Sequence, residues 1–481
     1  MKKLYSLIVL LSAISFSTLA THNKGGYISY QYVSGFTYEI TVTTFSSESS
    51  VTADRCELIV KFGDGTSETV YRSNGAACGS AMPGCQHCGL SLGNGLKKNT
   101  YTVNHNFNGS GTFVISVEDP NRNGGIINVP SSIQVPFYIE TQLVISSSFA
   151  GNNSPQLLSV PISSIGIHND WFLNFTAMDA DGDILSYELV SAKGENGVDV
   201  PGYFVPGSSS IDLVNGQLSV TNVGVQGNYI FTVKITECRN NTDIGYTLVD
   251  FQVAGDNSLN SLGFSGLQGW STDYLGRFSV TISPSDSVVL DLSYQNSNTG
   301  GTLELVSQSE AYSTSHPAEL NPISSSTAQV TKKFKWEPTA SDARCAPYIV
   351  TFKGRFINSG SYFQDDITLM VFVRDQTTTN CTAGCGSILS VTDEIDSPDF
   401  DLSISPNPIQ TEAVITLATN SGTETVNFIV FDVMGKQVRS QVITNQNQFT
   451  FYKNELPTGV YIYKVVSSGK TLKSGKLVLV D

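Results

Sequence analysis

The residues best suited to chemistry are Asp179, Asp181 and Asp183, spaced two apart in Asp179-Ala-Asp181-Gly-Asp183. Three carboxylates on one tight turn repel one another. Two unit charges ~5 Å apart cost roughly 1 kcal/mol in bulk water and about 3 kcal/mol at an effective permittivity of 20. Such a turn either points into water or shares a cation. Hard oxygen ligands favour Ca2+, typically with millimolar-range affinity in extracellular modules. A second run, Asp119-Pro-Asn121-Arg-Asn123-Gly124, copies the first half of a calcium loop, but its twelfth position is Pro130. The bidentate Glu is missing there, so an Asx-rich turn is expected.

Nucleophiles offer less. Gly89-Leu-Ser91-Leu-Gly93 has the spacing of a nucleophile elbow. That motif requires a strand-to-helix turn in an α/β sheet, whereas this one lies in Cys- and Gly-rich sequence. No HExxH, P-loop or dinucleotide fingerprint is present. The five His, at positions 22, 87, 105, 168 and 316, are scattered. The expectation is a chain without catalytic residues, not an enzyme. Trp171, Trp270 and Trp336 could be platforms for sugars, although single tryptophans in separate modules read first as core.

The chain has 481 residues and a net charge of −15. This acidity excludes a nucleic-acid binder, which would carry a basic stripe. A hydrophobic content of 40% is too high for disorder. Lys2 and Lys3, the apolar stretch from Leu4 to Phe16, and Thr18-Leu19-Ala20 read as a signal peptide over residues 1–20, cut before Thr21. No later run reaches ~18 apolar residues, so no transmembrane segment is expected in the mature chain.

Export makes the eight cysteines candidates for disulfides. Cys56, Cys78, Cys85 and Cys88 cluster, Cys238 and Cys345 stand apart, and Cys381 and Cys385 form a CxxxC. A Cys56–Cys78 bridge would close a 23-residue loop, worth roughly 3 kcal/mol in the chain-entropy model. Cys78, Cys85, His87 and Cys88 also admit a zinc reading, at a spacing unusual for that metal. Cys238 and Cys345 either tie two modules together or are buried thiols.

Positioning these residues falls to β-strands. Short alternating runs recur, such as Tyr38-Glu-Ile-Thr-Val-Thr-Thr44 and Tyr229-Ile-Phe-Thr-Val-Lys-Ile235, bounded by Gly, Asn, Ser, Asp and Pro. They predict an all-β chain of tandem immunoglobulin-like β-sandwich modules with a small C-terminal β-sandwich.

Residues 21–148 hold the turn Phe62-Gly-Asp64-Gly65-Thr66, then His105-Asn-Phe107 and Gly111-Thr-Phe113. They resemble PKD-type immunoglobulin-like domains, with Phe107 and Phe113 where Tyr is usual. His105 reads as a packed turn or core residue. Residues 149–255 carry Asp179-Ala-Asp181-Gly-Asp183-Ile-Leu-Ser-Tyr187 and resemble cadherin-like sandwiches. That resemblance adds Asn153 and Glu237 as further calcium ligands. With Asp119-Pro-Asn-Arg-Asn-Gly-Gly125 and Thr21-His-Asn-Lys-Gly-Gly26, residues 21–255 resemble exported surface proteins of Bacteroidetes-type bacteria. Residues 256–376 read as a third sandwich, with Phe334-Lys-Trp336 and Pro347-Tyr-Ile-Val-Thr-Phe352 as strands, and residues 377–399 as a linker.

The last segment, 400–481, contains Pro406-Asn407-Pro408, Phe428-Ile-Val-Phe-Asp-Val-Met-Gly435, Leu456-Pro-Thr-Gly459-Val-Tyr461 and a closing Lys476-Leu-Val-Leu-Val480. This order resembles the type A C-terminal sorting domain of the type IX secretion system. The resemblance implies recognition by the outer-membrane translocon, then surface attachment or release, via the periplasm. The functional expectation is a secreted or cell-surface protein with an adhesive or matrix role towards an unidentified surface protein. The alternative is a glycan-binding protein assisting polysaccharide use.

Overall fold

The computed structural model describes residues 23–375 and 400–480, apart from 50–53, 80–83, 94, 150, 161–162, 169, 222, 258–261, 266, 268–269, 274–275, 297–299, 359–360, 420–425, 433–436, 445, 455 and 468–469. The segment 1–20, the linker 377–399 with Cys381 and Cys385, and Gly435 lie outside the described residues. The described elements are strands and a few single-turn 3-10 helices, without an α-helix among them. The all-β expectation is met. Among the described residues no helix is long and apolar enough to cross a membrane. They form two compact units: residues 23–270 with 278–375, and residues 400–480 with 271–277.

Alternation makes the strands of the larger unit. In Thr37–Ser47 the residues Tyr38, Ile40 and Val42 fall two apart, and all three are fully buried, as period-two geometry requires. They share a core with Phe62, Tyr101, Phe107, Ile115 and Ile139. The Phe62-Gly-Asp64 turn is closed from within. Asp64 accepts from the Thr66 N–H at 2.9 Å. The His105 ring stacks on Phe62, with centroids 3.7 Å apart, and its Nε2 lies 2.8 Å from Asp64 Oδ2. His105 is thus a clamp on the turn.

Desolvation alone would raise the Asp64 carboxyl. Hydrogen bonds from Thr66 and His105 outweigh it and hold the pKa at about 2. A depressed carboxylate stabilises the fold above its ordinary value of 3.8, and the contribution is lost as pH falls through about 2. His105→Ala is expected to cost about 2 kcal/mol near neutral pH, as a charge-assisted bond and a ring stack are lost. Calorimetry at pH 2 should find a smaller difference. An equal difference at both pH values would contradict this role.

The cysteine cluster forms two disulfides, a pairing the sequence leaves open. Cys56 bonds to Cys85 and Cys78 to Cys88, so the Cys56–Cys78 bridge does not form. The segment after Asn74 folds back on itself: Ala77 bridges to His87, and the Cys88 N–H donates to the Ala76 carbonyl. That fold-back sets Cys88 opposite Cys78, with Cα atoms 5.0 Å apart, and brings Cys85 to 5.1 Å from Cys56. All four sulfurs are consumed, which removes the thiolates a zinc site would need. Cys238 and Cys345 are disulfide-bonded as well, so neither is a buried thiol. Ser91 lies in the edge strand Leu90–Gly93, paired antiparallel with Leu96–Asn106. That is not a strand-to-helix elbow.

Hydrogen bonding runs across the boundaries expected at 148 and 255. Strand Asn23–Ser34 sits between Thr37–Ser47 and Thr242–Asp256. A Cβ at Gly25 would meet the Asp250 carbonyl oxygen at 2.6 Å, and one at Gly26 the Thr43 carbonyl oxygen at 2.6 Å. The glycine pair is therefore a steric requirement of that insertion. Phe137–Ile145 also pairs with Thr242–Asp256. Ser163–Gly166 then lies parallel to both Thr242–Asp256 and Ser361–Val373. One apolar core holds Trp171 and Phe231 together with Phe352 and Leu369.

The Asp119–Gly125 run, read as an Asx-rich turn, clamps the fold through its two buried side chains, Asp119 and Arg122, and the half-buried Asn123. Asp119 pairs with Arg55 at 2.8 Å and accepts from Asn23. The Arg122 fork donates two 2.8 Å bonds to Asp250, and Asn123 reaches Gln252 at 2.9 Å.

The smaller unit is a two-sheet sandwich. Phe400–Ser405, Glu412–Thr419 and Gln448–Tyr452 form one sheet. Gln437–Ile443, Val426–Asp432, Gly459–Ser467 and Lys470–Leu479 form the other. Tyr461 and Tyr463 fall on one face and are buried with Phe428, Phe449 and Val465.

Candidate functional site

The acidic turn joins strand Ala177–Met178 to strand Ile184–Val190. Asp179 nucleates it: its Oδ1 accepts from the N–H groups of Asp181 and Asp183 at 2.9 and 3.0 Å. Gly182, at φ +79°, supplies the left-handed residue. The three carboxylates each offer an oxygen within 4.8 Å of the others.

The surroundings decide what this cluster can do. Asp181 is exposed and receives the Asn153 N–H at 2.7 Å and the Asn153 side-chain amide at 2.9 Å. Asn153 Oδ1 accepts from the Tyr32 N–H, so its oxygen is already engaged. Asp183 is buried and receives Arg239 through two 2.6 Å bonds. Glu237 is fully buried and accepts from Asn152 at 2.9 Å and from the Tyr30 hydroxyl at 3.2 Å. Strand pairing sets Leu185 opposite Glu237 and Ile184 opposite Cys238, which brings the turn and the end of Gly227–Arg239 together.

Sequence reasoning found the three aspartates and Glu237. It missed Arg239, Asn152 and Tyr30. The signal for Arg239 was its position two residues beyond Glu237 at the end of an alternating strand. Arg239 supplies one positive charge against four carboxyl groups. Burial, and then the charges of Asp183 and Asp181, push Asp179 up to about 6, against the backbone bonds that favour its ionised form. Burial, and then Asp179 and Asp183, hold Glu237 well above the usual carboxylate range. A raised carboxyl contributes stability below its ordinary value and loses it as pH rises through the folded value. For Asp179 that window runs from 3.8 to about 6, so its ionised carboxylate is a liability to the fold at neutral pH. Asp179 Oδ2 is buried and has no hydrogen-bond partner. An orphaned acceptor in an under-neutralised cluster is what a hard divalent cation would satisfy.

The tryptophans do not serve as platforms. Trp171 and Trp336 are buried. Trp270 is half-buried, edge-on to Phe278 and Phe352. None offers the open face that sugar stacking needs.

In the sorting segment, Pro406 and Pro408 follow strand Phe400–Ser405, where they remove no ladder donor. Asn407 Oδ1 accepts from the Val478 N–H at 2.9 Å. Gly459 opens the strand that pairs with Lys470–Leu479, with Lys476 opposite Ile462. The Tyr461 hydroxyl donates to the Pro457 carbonyl at 2.9 Å. The motif residues thus join the two ends of this unit.

Residues 403–480 match the family described as "Secretion system C-terminal sorting domain", which bears out the reading of the tail. No curated protein matches the chain in sequence. Among solved structures it is similar to dimeric latent PorU from Porphyromonas gingivalis, at 11% identity and a TM-score of 0.17, over 68% of this chain and 34% of that one. The chain therefore spans about a third of the length of PorU. It is also similar to the N-terminal four Ig domains of Dscam1 (12% identity, TM-score 0.19, 96% of this chain, 95% of that one). Drosophila N-cadherin EC1-4 is another (11% identity, TM-score 0.17, 76% of this chain, 82% of that one). At these scores the likenesses carry no functional argument.

Proposed function

We propose that this chain is a non-enzymatic surface protein, carried out of the cell by the type IX secretion system through residues 400–481, whose body serves adhesion or matrix building. The sorting-domain match at 403–480 carries this reading. Two further features support it. The tail is a compact unit with its own core. Charge is also partitioned: residues 400–481 hold seven basic and six acidic side chains, whereas 21–399 hold 18 basic and 36 acidic. That split suits an address attached to an acidic cargo. Cell fractionation with and without the tail tests the export step. A turnover reaction by the purified body would overturn the non-enzymatic part.

Within the body, Asp179, Asp181, Asp183 and Glu237 are assigned a structural Ca2+, with Asp179 Oδ2 as the oxygen awaiting it. Calcium at about 100 times its Kd would add about 2.7 kcal/mol to stability. The melting temperature is expected to rise with Ca2+, and to rise more at pH 7.5 than at pH 5, because protons compete for the same oxygens. Asp179→Asn should abolish the response while leaving the calcium-free protein at least as stable. No shift in calorimetry up to ~10 mM Ca2+ would remove the site.

A further inference from the structure

Lys353 and Asp366 face each other across the antiparallel strands Tyr348–Asn358 and Ser361–Val373. Both side chains are fully shielded from solvent, with Nζ 2.8 Å from Asp366 Oδ2. Lys353 is the only buried lysine among the described residues. Nζ also donates to the backbone carbonyl of Asn174. Asp366 Oδ2 is held by two more donors, the Asn174 N–H at 2.7 Å and Gln364 Nε2 at 3.2 Å. Asp366 Oδ1 is buried and has no partner. The carboxyl group is thus polarised at one oxygen and bare at the other.

A fully buried ammonium–carboxylate pair is costly, because desolvation of both ions offsets their attraction. Burial lowers the Lys353 pKa and raises that of Asp366, against the help each gives the other's charge. Both shifts favour the neutral amine and the neutral acid. Burial also pushes neighbouring Asp365 up to about 8, against the Phe172 N–H that favours its ionised form. A neutral amine is a nucleophile, which the guanidinium in the buried Arg122–Asp250 pair is not.

We propose that Lys353 and Asp366 condense into an intramolecular amide, a covalent cross-link between the two strands. The Nζ lone pair attacks Asp366 Cγ, and the C–N bond forms. Charge developing on Oδ2 is met by the Asn174 N–H and Gln364 Nε2, donors already in place. The Cγ–Oδ1 bond then breaks. Oδ1 carries the acid's proton and takes one proton from nitrogen, so it leaves as water. The nitrogen keeps one hydrogen, and no oxidant, reductant or co-substrate is needed. Fixed proximity supplies the rate, and the absence of solvent opposes hydrolysis.

The test is the mass of the purified full chain after reduction and alkylation. It should be lighter by one water molecule than its sequence requires. Proteolysis should leave the peptides containing Lys353 and Asp366 joined, with no tryptic cleavage after Lys353. Lys353→Arg should restore the full mass. If that variant fails to fold, the wild-type mass decides alone. A wild-type chain at full mass with both side chains free overturns the proposal, and so does a water loss that fragmentation places elsewhere.

Discussion

A chain lacking residues 400–481 is expected to fold, to accumulate in the periplasm, and to vanish from the surface and medium. The folding half of this expectation follows from the cores. The tail's apolar cluster draws only on residues between Leu402 and Leu479. The body's two large clusters draw on residues between Tyr27 and Val373. Among the described residues each core is thus built within its own stretch of chain, and loss of core packing is what makes deletions expensive. The export half follows from the sorting-domain match at 403–480. Surface proteolysis and fractionation measure the loss, which should be near complete. Calorimetry of the truncated body should find its transition where the full chain has it. Equal surface levels with and without the tail would refute the sorting role. A truncated body that melts far lower would refute its independence.

Asp250→Ala should be the most damaging single change to the body away from the apolar core. Asp250 is 1% exposed and receives both arms of Arg122, itself 2% exposed, together with the Thr232 hydroxyl at 3.1 Å. Truncating it leaves a guanidinium buried without its counter-charge. Breaking such a pair costs about 3–5 kcal/mol, whereas replacing both partners with apolar residues of similar volume is often neutral. The double variant Arg122→Met with Asp250→Leu should accordingly recover most of the loss. Urea unfolding of the two variants measures the difference. A single variant within about 0.5 kcal/mol of wild type, the scale of ordinary surface changes, would show that the clamp contributes little.

The all-β class, the Phe62-Gly-Asp64 turn and the tail were legible in the sequence because each rests on local spacing. Alternation shows a strand without knowledge of its partner, and Asp64-Gly65 shows a turn. What the sequence hid depends on strand register or on loop folding. Arg239 meets Asp183 across 56 positions, only because Ile184 pairs with Cys238. A one-residue slip would turn that face away. Lys353 and Asp366 are unremarkable in sequence and meet only when Tyr348–Asn358 and Ser361–Val373 are aligned. The cysteine pairing depended on the fold-back after Asn74, which no periodicity marks. The boundaries near 148 and 255 follow motifs that are local in sequence, and the pairings that run across them, of Asn23–Ser34 with Thr242–Asp256 and of Ser163–Gly166 with Ser361–Val373, leave no local mark.

That inserted strand has a consequence for assembly. One of its two neighbours is synthesised more than two hundred positions after it. Closing so long a loop is slow, and until it closes an edge stays open. Until that second neighbour is in place, the strand has only Thr37–Ser47 beside it and offers an open edge to mispairing.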